Sequence, residues 1–263
     1  MGLEPTIVVS RNLNYLWFDL LQAMWNNPDR CRIWTVDGQE GEKDKGDLND
    51  RSHIGSGSFV GQRRWEFDLM HFRVTHPSER PIIPDVPDGI PAPTDMEYVE
   101  KYYNRYIIGT DREEGETYTY GERIQPQIEP IIEKFTQGGW GTNQCTISIS
   151  QPDDIFSPDP PCLRSIDLRV YPKEALRPGE EQALHMIIKF RSWDLWGGLP
   201  SNMAGLLLLM EDMASMMGIK PGEMHAFCKG LHVYETAVSQ ALARIGETPL
   251  TPDQLVAKLH PRI

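Results

Sequence analysis

Apolar residues along this chain switch between a spacing of two and a spacing near 3.6, and each switch predicts an element. Ile7, Val8 and Val9 read as a strand, followed by a helix carrying Leu13, Leu16, Phe18, Leu20, Leu21 and Met24. Residues 37–50 are polar and aperiodic, which predicts an exposed loop. Strand-like content returns over residues 57–74 with Phe59, Val60, Trp65, Phe67, Leu69, Phe72 and Val74. From Pro77 to Pro93 repeated prolines exclude a regular ladder and predict a long crossing segment.

A helix is expected from Thr94 to Ile108, with Thr94 as N-cap and Glu97 completing a capping box. Its apolar face carries Val99, Tyr102, Tyr103 and Tyr106, its polar face Glu97, Lys101 and Asn104, and Glu100 falls at the edge of the apolar stripe. Another helix is expected over Ile128–Phe135, and strands over Cys145–Ser150, Leu163–Tyr171 and Leu184–Phe190. Met203 to Met217 reads as a buried helix stopped by Gly218 and a Lys220-Pro221-Gly222 turn. His232 and Tyr234 fall on a short strand, and helices over Glu235–Ile245 and Thr251–Leu259 close the chain. Strands and helices interspersed without strict alternation predict an α+β fold: one domain over residues 1–263, with a mixed β-sheet flanked by helices.

Composition narrows the class. Lys plus Arg total 26 against 38 Asp plus Glu, a net charge of −12, which argues against nucleic-acid binding through a basic surface. One anionic small molecule remains compatible, because a local arginine cluster outweighs a distant negative field. Cys31, Cys145, Cys162 and Cys228 form no Cys-x-x-Cys pair, so neither a metal site nor a disulfide framework is expected. The longest apolar run is too short and too charged for a bilayer, so the chain is expected in the cytoplasm, away from membranes.

Three segments then carry candidate chemistry: Pro-Pro-Cys-Leu around Cys162, Arg191 to Asn202 (Arg-Ser-Trp-Asp-Leu-Trp-Gly-Gly-Leu-Pro-Ser-Asn), and His232-Val233-Tyr234. Each has an ordinary alternative. Cys162 fits a small buried hydrophobe, Arg191 a strand terminus, and Asp194 and Asn202 helix caps. Together their order and spacing resemble the thymidylate synthase superfamily, which includes pyrimidine nucleotide hydroxymethylases. The match is close over residues 160–236, with Arg191, Ser192, Asp194, Gly198, Pro200 and Asn202 in unbroken register. Upstream it is patchy, through Tyr120-Gly121 with Arg123 and through Asp50-Arg51 with the glycines that follow. Residues 1–48 resemble nothing in the family.

The resemblance implies a homodimeric thymidylate synthase-like fold acting on a pyrimidine nucleoside monophosphate with 5,10-methylenetetrahydrofolate. Cys162 would add to C6 of the base, making C5 the nucleophile that takes up the one-carbon unit. Arg51, Arg191 and Ser192 would hold phosphate, Asn202 the base edge, and His232 with Tyr234 the sugar hydroxyl. Asp194 and Gly198 would meet the folate, Tyr120 would assist removal of the C5 proton, and Glu100, with Glu97 as alternative, would organise water near O4. The leading reaction is methylation of deoxyuridylate to thymidylate. Alternatives are hydroxymethylation of cytidylate or deoxycytidylate, and a non-catalytic nucleotide-binding protein on the same fold. The chain departs from the family in three places. Leu163 replaces the usual His, residues 141–145 lack an arginine pair, and no tryptophan lies between Gly109 and Tyr120.

Overall fold

The computed structural model describes residues 3–36, 61–87, 89–114, 116–157 and 159–259. Within them, ten strands form two sheets. The larger is built from β1 (Pro5–Ser10), β4 (Leu69–Val74), β5 (Thr146–Ser148), β6 (Leu163–Arg169), β7 (Ala183–Phe190) and β9 (Lys220–Cys228) in the order β1-β4-β9-β7-β6-β5. It is mixed, with β1 parallel to β4 and β7 parallel to β9. The smaller sheet runs β2 (Cys31–Thr35), β3 (Arg63–Phe67), β10 (Leu231–Tyr234), β8 (Trp193–Asp194). Helices α1 (Leu13–Asn26), α2 (Met96–Tyr102), α3 (Tyr120–Thr136), α4 (Gly198–Met216), α5 (Glu235–Arg244) and α6 (Pro252–Leu259) complete a single α+β domain.

Helix α4 is the centre of the core. It is buried from Gly198 to Leu207 without a break and packs against β7, β9, α1, α2 and α3. Such all-round burial explains how the apolar run from Leu206 to Met210 is accommodated inside the domain. The helix starts at Gly198 rather than at the expected Met203. Pro200 falls in the first turn, where a missing N–H costs nothing, so the chain is free to enter the helix early. Gly218, at φ +67°, ends it.

Several expectations shift. The cap of α2 is Asp95, whose carboxylate accepts from the Tyr98 N–H at 2.7 Å, while the Thr94 hydroxyl is buried without a partner among the described residues. Helix α3 begins at Tyr120, eight residues ahead of Ile128, because Thr119 and Glu122 form a capping box there. Pro126 and Pro130 do not break it, since both lie on its exposed side, where the carbonyls they leave unpaired reach water. Lys220 to Gly222 opens strand β9 instead of forming a turn. Gly222 is required there: a Cβ would stand 2.9 Å from the Leu184 carbonyl and from His185 Nδ1, where the β7–β9 register shifts. Residues 63–74 divide at Asp68 into strands of different sheets, and β2, β8 and β9 were not anticipated. The segment 37–50 lies outside the described residues. Among the described residues no helix is long and apolar enough to cross a membrane.

Candidate active site

One face of the smaller sheet is polar, and strand register explains why. Trp34 pairs with Arg64 and Arg64 with Tyr234; Arg32 pairs with Glu66, Glu66 with His232, and His232 with Asp194. Cross-strand partners project to the same side, so these residues form two adjacent rungs. The alternate positions, Ile33, Trp65 and Val233, face the core.

Arg64 organises the first rung. It donates to the Tyr234 hydroxyl at 2.9 Å and lies over the rings of Trp34 and Tyr234, 5.4 and 5.1 Å from their centroids. Its Nε–H is buried with no partner among the described residues. In the second rung, burial and then Arg64 push the His232 imidazole down to about 3, so it is neutral at physiological pH. His232 Nδ1 lies 2.8 Å from the Gly230 carbonyl, which only an N–H can satisfy. The buried Nε2 therefore carries a lone pair that no other described residue engages. Gly230 permits this arrangement, because a Cβ there would stand 3.2 Å from the Arg191 carbonyl.

Cys162 faces these rungs from the residue preceding β6. The Arg191 N–H donates to the Cys162 carbonyl at 2.9 Å, joining the ends of β6 and β7. The Arg191 side chain turns back on the same loop, donating to Pro160 O at 2.6 Å and pairing with Asp159 at 2.9 Å. Burial raises the Cys162 thiol above its ordinary value; Arg191 opposes this most strongly, with Arg64 and Arg164 adding to it. Thus the site holds a protonated thiol that cations bring closer to ionisation. Tyr120, the first residue of α3, accepts a long hydrogen bond from Leu163 N at 3.4 Å, and burial raises its phenol well above the ordinary range. Arg123 anchors that helix start through a two-pronged pair with Asp154, both contacts at 2.8 Å.

Asp194 forms the turn that leads into α4. Its carboxylate accepts from Trp196 N at 2.9 Å and Gly197 N at 3.2 Å, holding the chain as it enters α4 at Gly198. Burial raises its pKa, and these N–H groups counter that rise. The expected role near the start of the helix is therefore met, by a carboxylate that also lies on the polar face of the smaller sheet. Asn202 lies inside the first turns of α4, where Trp193 Nε1 donates to its Oδ1 at 2.8 Å. Because an indole only donates, this bond fixes which end of the amide is oxygen. The amide also meets the Tyr102 hydroxyl, arriving from α2.

The structure thus brings together Cys162, Tyr120, Arg191, Asp194, Asn202, His232 and Tyr234. Tyr234 feels the charge of both Asp194 and Cys162 across the site. Ser192 is half-buried in the turn after Arg191. Glu100 is a correction: it and Glu97 are exposed, because α2 turns Val99 and Tyr102 inward. Arg51 lies outside the described residues. Sequence reasoning missed Arg64, Glu66 and Tyr102. The signal for the first two was the alternation of Arg64 and Glu66 with apolar Trp65 and Phe67, which marks a strand with one polar face.

A family model described as thymidylate synthase matches residues 99–262. The chain is similar to proteins provisionally named thymidylate synthase from two methanogens, Methanosarcina mazei and Methanosarcina barkeri. Each is 30% identical over 156 residues, covering 56% of this chain and 67% of the relative. It is also similar to a thymidylate synthase of Mycoplasma genitalium, 33% identical over 79 residues, 30% of this chain and 28% of that protein.

Proposed function

This chain belongs to the thymidylate synthase family, and from that premise we propose that it transfers a one-carbon unit from 5,10-methylenetetrahydrofolate to C5 of a pyrimidine nucleotide, with deoxyuridylate as substrate. What supports the reading is the surroundings of the Cys162 thiol: it is flanked by the cations Arg191, Arg64 and Arg164, lies across from Tyr234, and shares Tyr102 as a neighbour with Asn202.

The chemistry follows from these groups. Once its proton has passed to solvent, the Cys162 thiolate bonds to C6 of the base, and the electron pair of the C5–C6 double bond moves toward C4 and O4, leaving C5 nucleophilic. Arg191 lowers the cost of forming the thiolate and, with Ser192, holds the phosphate in a charge-assisted grip, exchanging Asp159 for the ligand. His232 Nε2 accepts from a sugar hydroxyl, and Tyr234 lies against the same hydroxyl. Asn202, its oxygen anchored by Trp193, turns amide N–H toward the base edge, which matches the O4 acceptor of uracil. Tyr120 assists loss of the C5 proton.

The folate fits the donor set: the Asp194 carboxylate spends only part of its acceptor capacity on backbone N–H groups, leaving lone pairs for ring N–H donors. When bound there and against Gly198, the folate supplies the one-carbon unit. We place a second copy of the chain on the outer face of the larger sheet, where Ile7, Val9 and Phe227 are exposed, and the protein in the cytoplasm. Hydroxymethylation is the second reading, favoured by the absence of a tryptophan from residues 110–119, where a shield for the one-carbon intermediate is expected.

Incubation with C5-tritiated uridine and cytidine monophosphates (ribo and deoxy) and the folate separates these readings. Methyl transfer predicts tritium release from deoxyuridylate, a methylated product mass and dihydrofolate absorbance. Tritium release with a hydroxymethylated mass and no dihydrofolate supports the second reading, and binding without release refutes both.

A further inference from the structure

Helix α2 was expected to bring a glutamate to the site, and it brings a phenol. Glu97 and Glu100 are exposed, while Tyr102 is only 7% exposed and is the last residue of the regular helix. From Tyr103 to Ile107 the backbone widens into a π-turn, a distortion common at functional sites. The Tyr102 ring is locked in place from two sides. It stacks on Tyr106 at 5.7 Å, and it fills the space left by the missing side chain of Gly205. A Cβ at Gly205 would stand 2.8 Å from its Cδ1. Gly205 lies three residues beyond Asn202, on the same stripe of α4, so the tyrosine runs along that stripe to meet the Asn202 amide. Among the described residues, Asp194 holds the start of α4 and Glu66 lies 3.9 Å from Arg64, so neither carboxylate is the donor that a charged O4 needs.

We propose that Tyr102 is a catalytic residue which, together with Asn202, donates a hydrogen bond to O4 of the pyrimidine as negative charge develops there. This rests on the function proposed above. When sulfur bonds to C6, the displaced π pair delocalises onto O4; when C5 forms its new bond, that charge returns to the ring. Tyr102 keeps its proton throughout, so no proton needs balancing, and burial holds its phenol well above the ordinary range. A buried, preoriented donor of this kind strengthens as charge appears, which accelerates the reaction without tightening substrate binding.

The test compares wild type, Tyr102→Phe and Tyr102→Glu by tritium release from C5-labelled deoxyuridylate, nucleotide affinity and thermal unfolding. Tyr102→Phe is expected to lower kcat by about 100-fold, the usual cost of one such donor, with affinity changed less than threefold and an unfolding midpoint close to wild type. Tyr102→Glu is expected to add a descending limb to the kcat profile between pH 5 and 7, since only the protonated acid donates. Retention of kcat within threefold in Tyr102→Phe overturns the proposal. So does a loss shared equally by kcat and affinity, or a Tyr102→Glu profile of wild-type shape, which decides the matter if the Phe variant is unstable. Absence of tritium release from wild type overturns the function itself, whereas release that survives Tyr102→Phe overturns only the role of Tyr102.

Discussion

His232 shows at single-residue scale how function and stability pull apart. The protein buries an imidazole, satisfies one nitrogen with the Gly230 carbonyl and leaves the other without a partner among the described residues. Its folded-state value of about 3 lies below the ordinary 6.5, so the unfolded chain takes up the proton first. The stability His232 contributes is therefore complete above pH 6.5 and is lost as pH falls from there toward 3. By linkage the loss reaches about 4 kcal/mol at the acid end. Replacing His232 by Gln should flatten the dependence of the unfolding midpoint on pH between 6.5 and 4; an unchanged slope would show that the histidine is not buried as described. Residue identities at this scale were largely legible from sequence: Cys162, Arg191, Asp194, Asn202, His232 and Tyr234 all stand in or around one site. Glu100 was not, because a residue at the edge of a helical stripe turns in or out according to what packs on it, and here Tyr102 occupies the inward position.

At the scale of elements, the start of α3 determines where Tyr120 sits. Two devices fix it: the Thr119–Glu122 capping box, and the Arg123–Asp154 pair, whose side chains are only 14% and 6% exposed. Arg123 holds the Asp154 carboxyl below its usual range and also donates to the Ile149 carbonyl at 2.6 Å, so it ties the helix to the chain between β5 and β6. Arg123→Met leaves the buried Asp154 carboxylate with only the Gln151 N–H and a longer contact to Arg164 at 3.8 Å, and should cost about 3 kcal/mol, read as a fall in denaturation midpoint with wild-type slope. A cost under 1 kcal/mol would mean that the pair is solvated. Helices with clear periodicity (α1, α5, α6) were readable in sequence. The onset of α3 was hidden by its prolines, whose effect depends on which side of the helix meets solvent. The smaller sheet was hidden for another reason. Its strands are short, and its pairs, such as Arg64 with Tyr234, lie 170 residues apart, beyond the reach of any local pattern.

For the whole molecule, the site exists only where separate parts of the chain converge. Cys162 comes from the residue before β6, Arg191 from the residue after β7, Asn202 from α4, Tyr120 from α3, and the two polar rungs chiefly from β3 and β10. The family match begins at residue 99, yet Arg64 from the unmatched part supplies a cation that acts on Cys162, His232 and Asp194. The N-terminal third is therefore part of the proposed catalytic apparatus, not an appendage to it. The central claim, attack by Cys162 on C6 of the pyrimidine, has a direct test in intact-protein mass. Incubated with 5-fluorodeoxyuridylate and 5,10-methylenetetrahydrofolate, the wild-type protein should gain the combined mass of nucleotide and folate, with the modification mapping to Cys162 and absent from Cys162→Ser. No adduct on the wild type, or an adduct that persists in Cys162→Ser, would contradict the account.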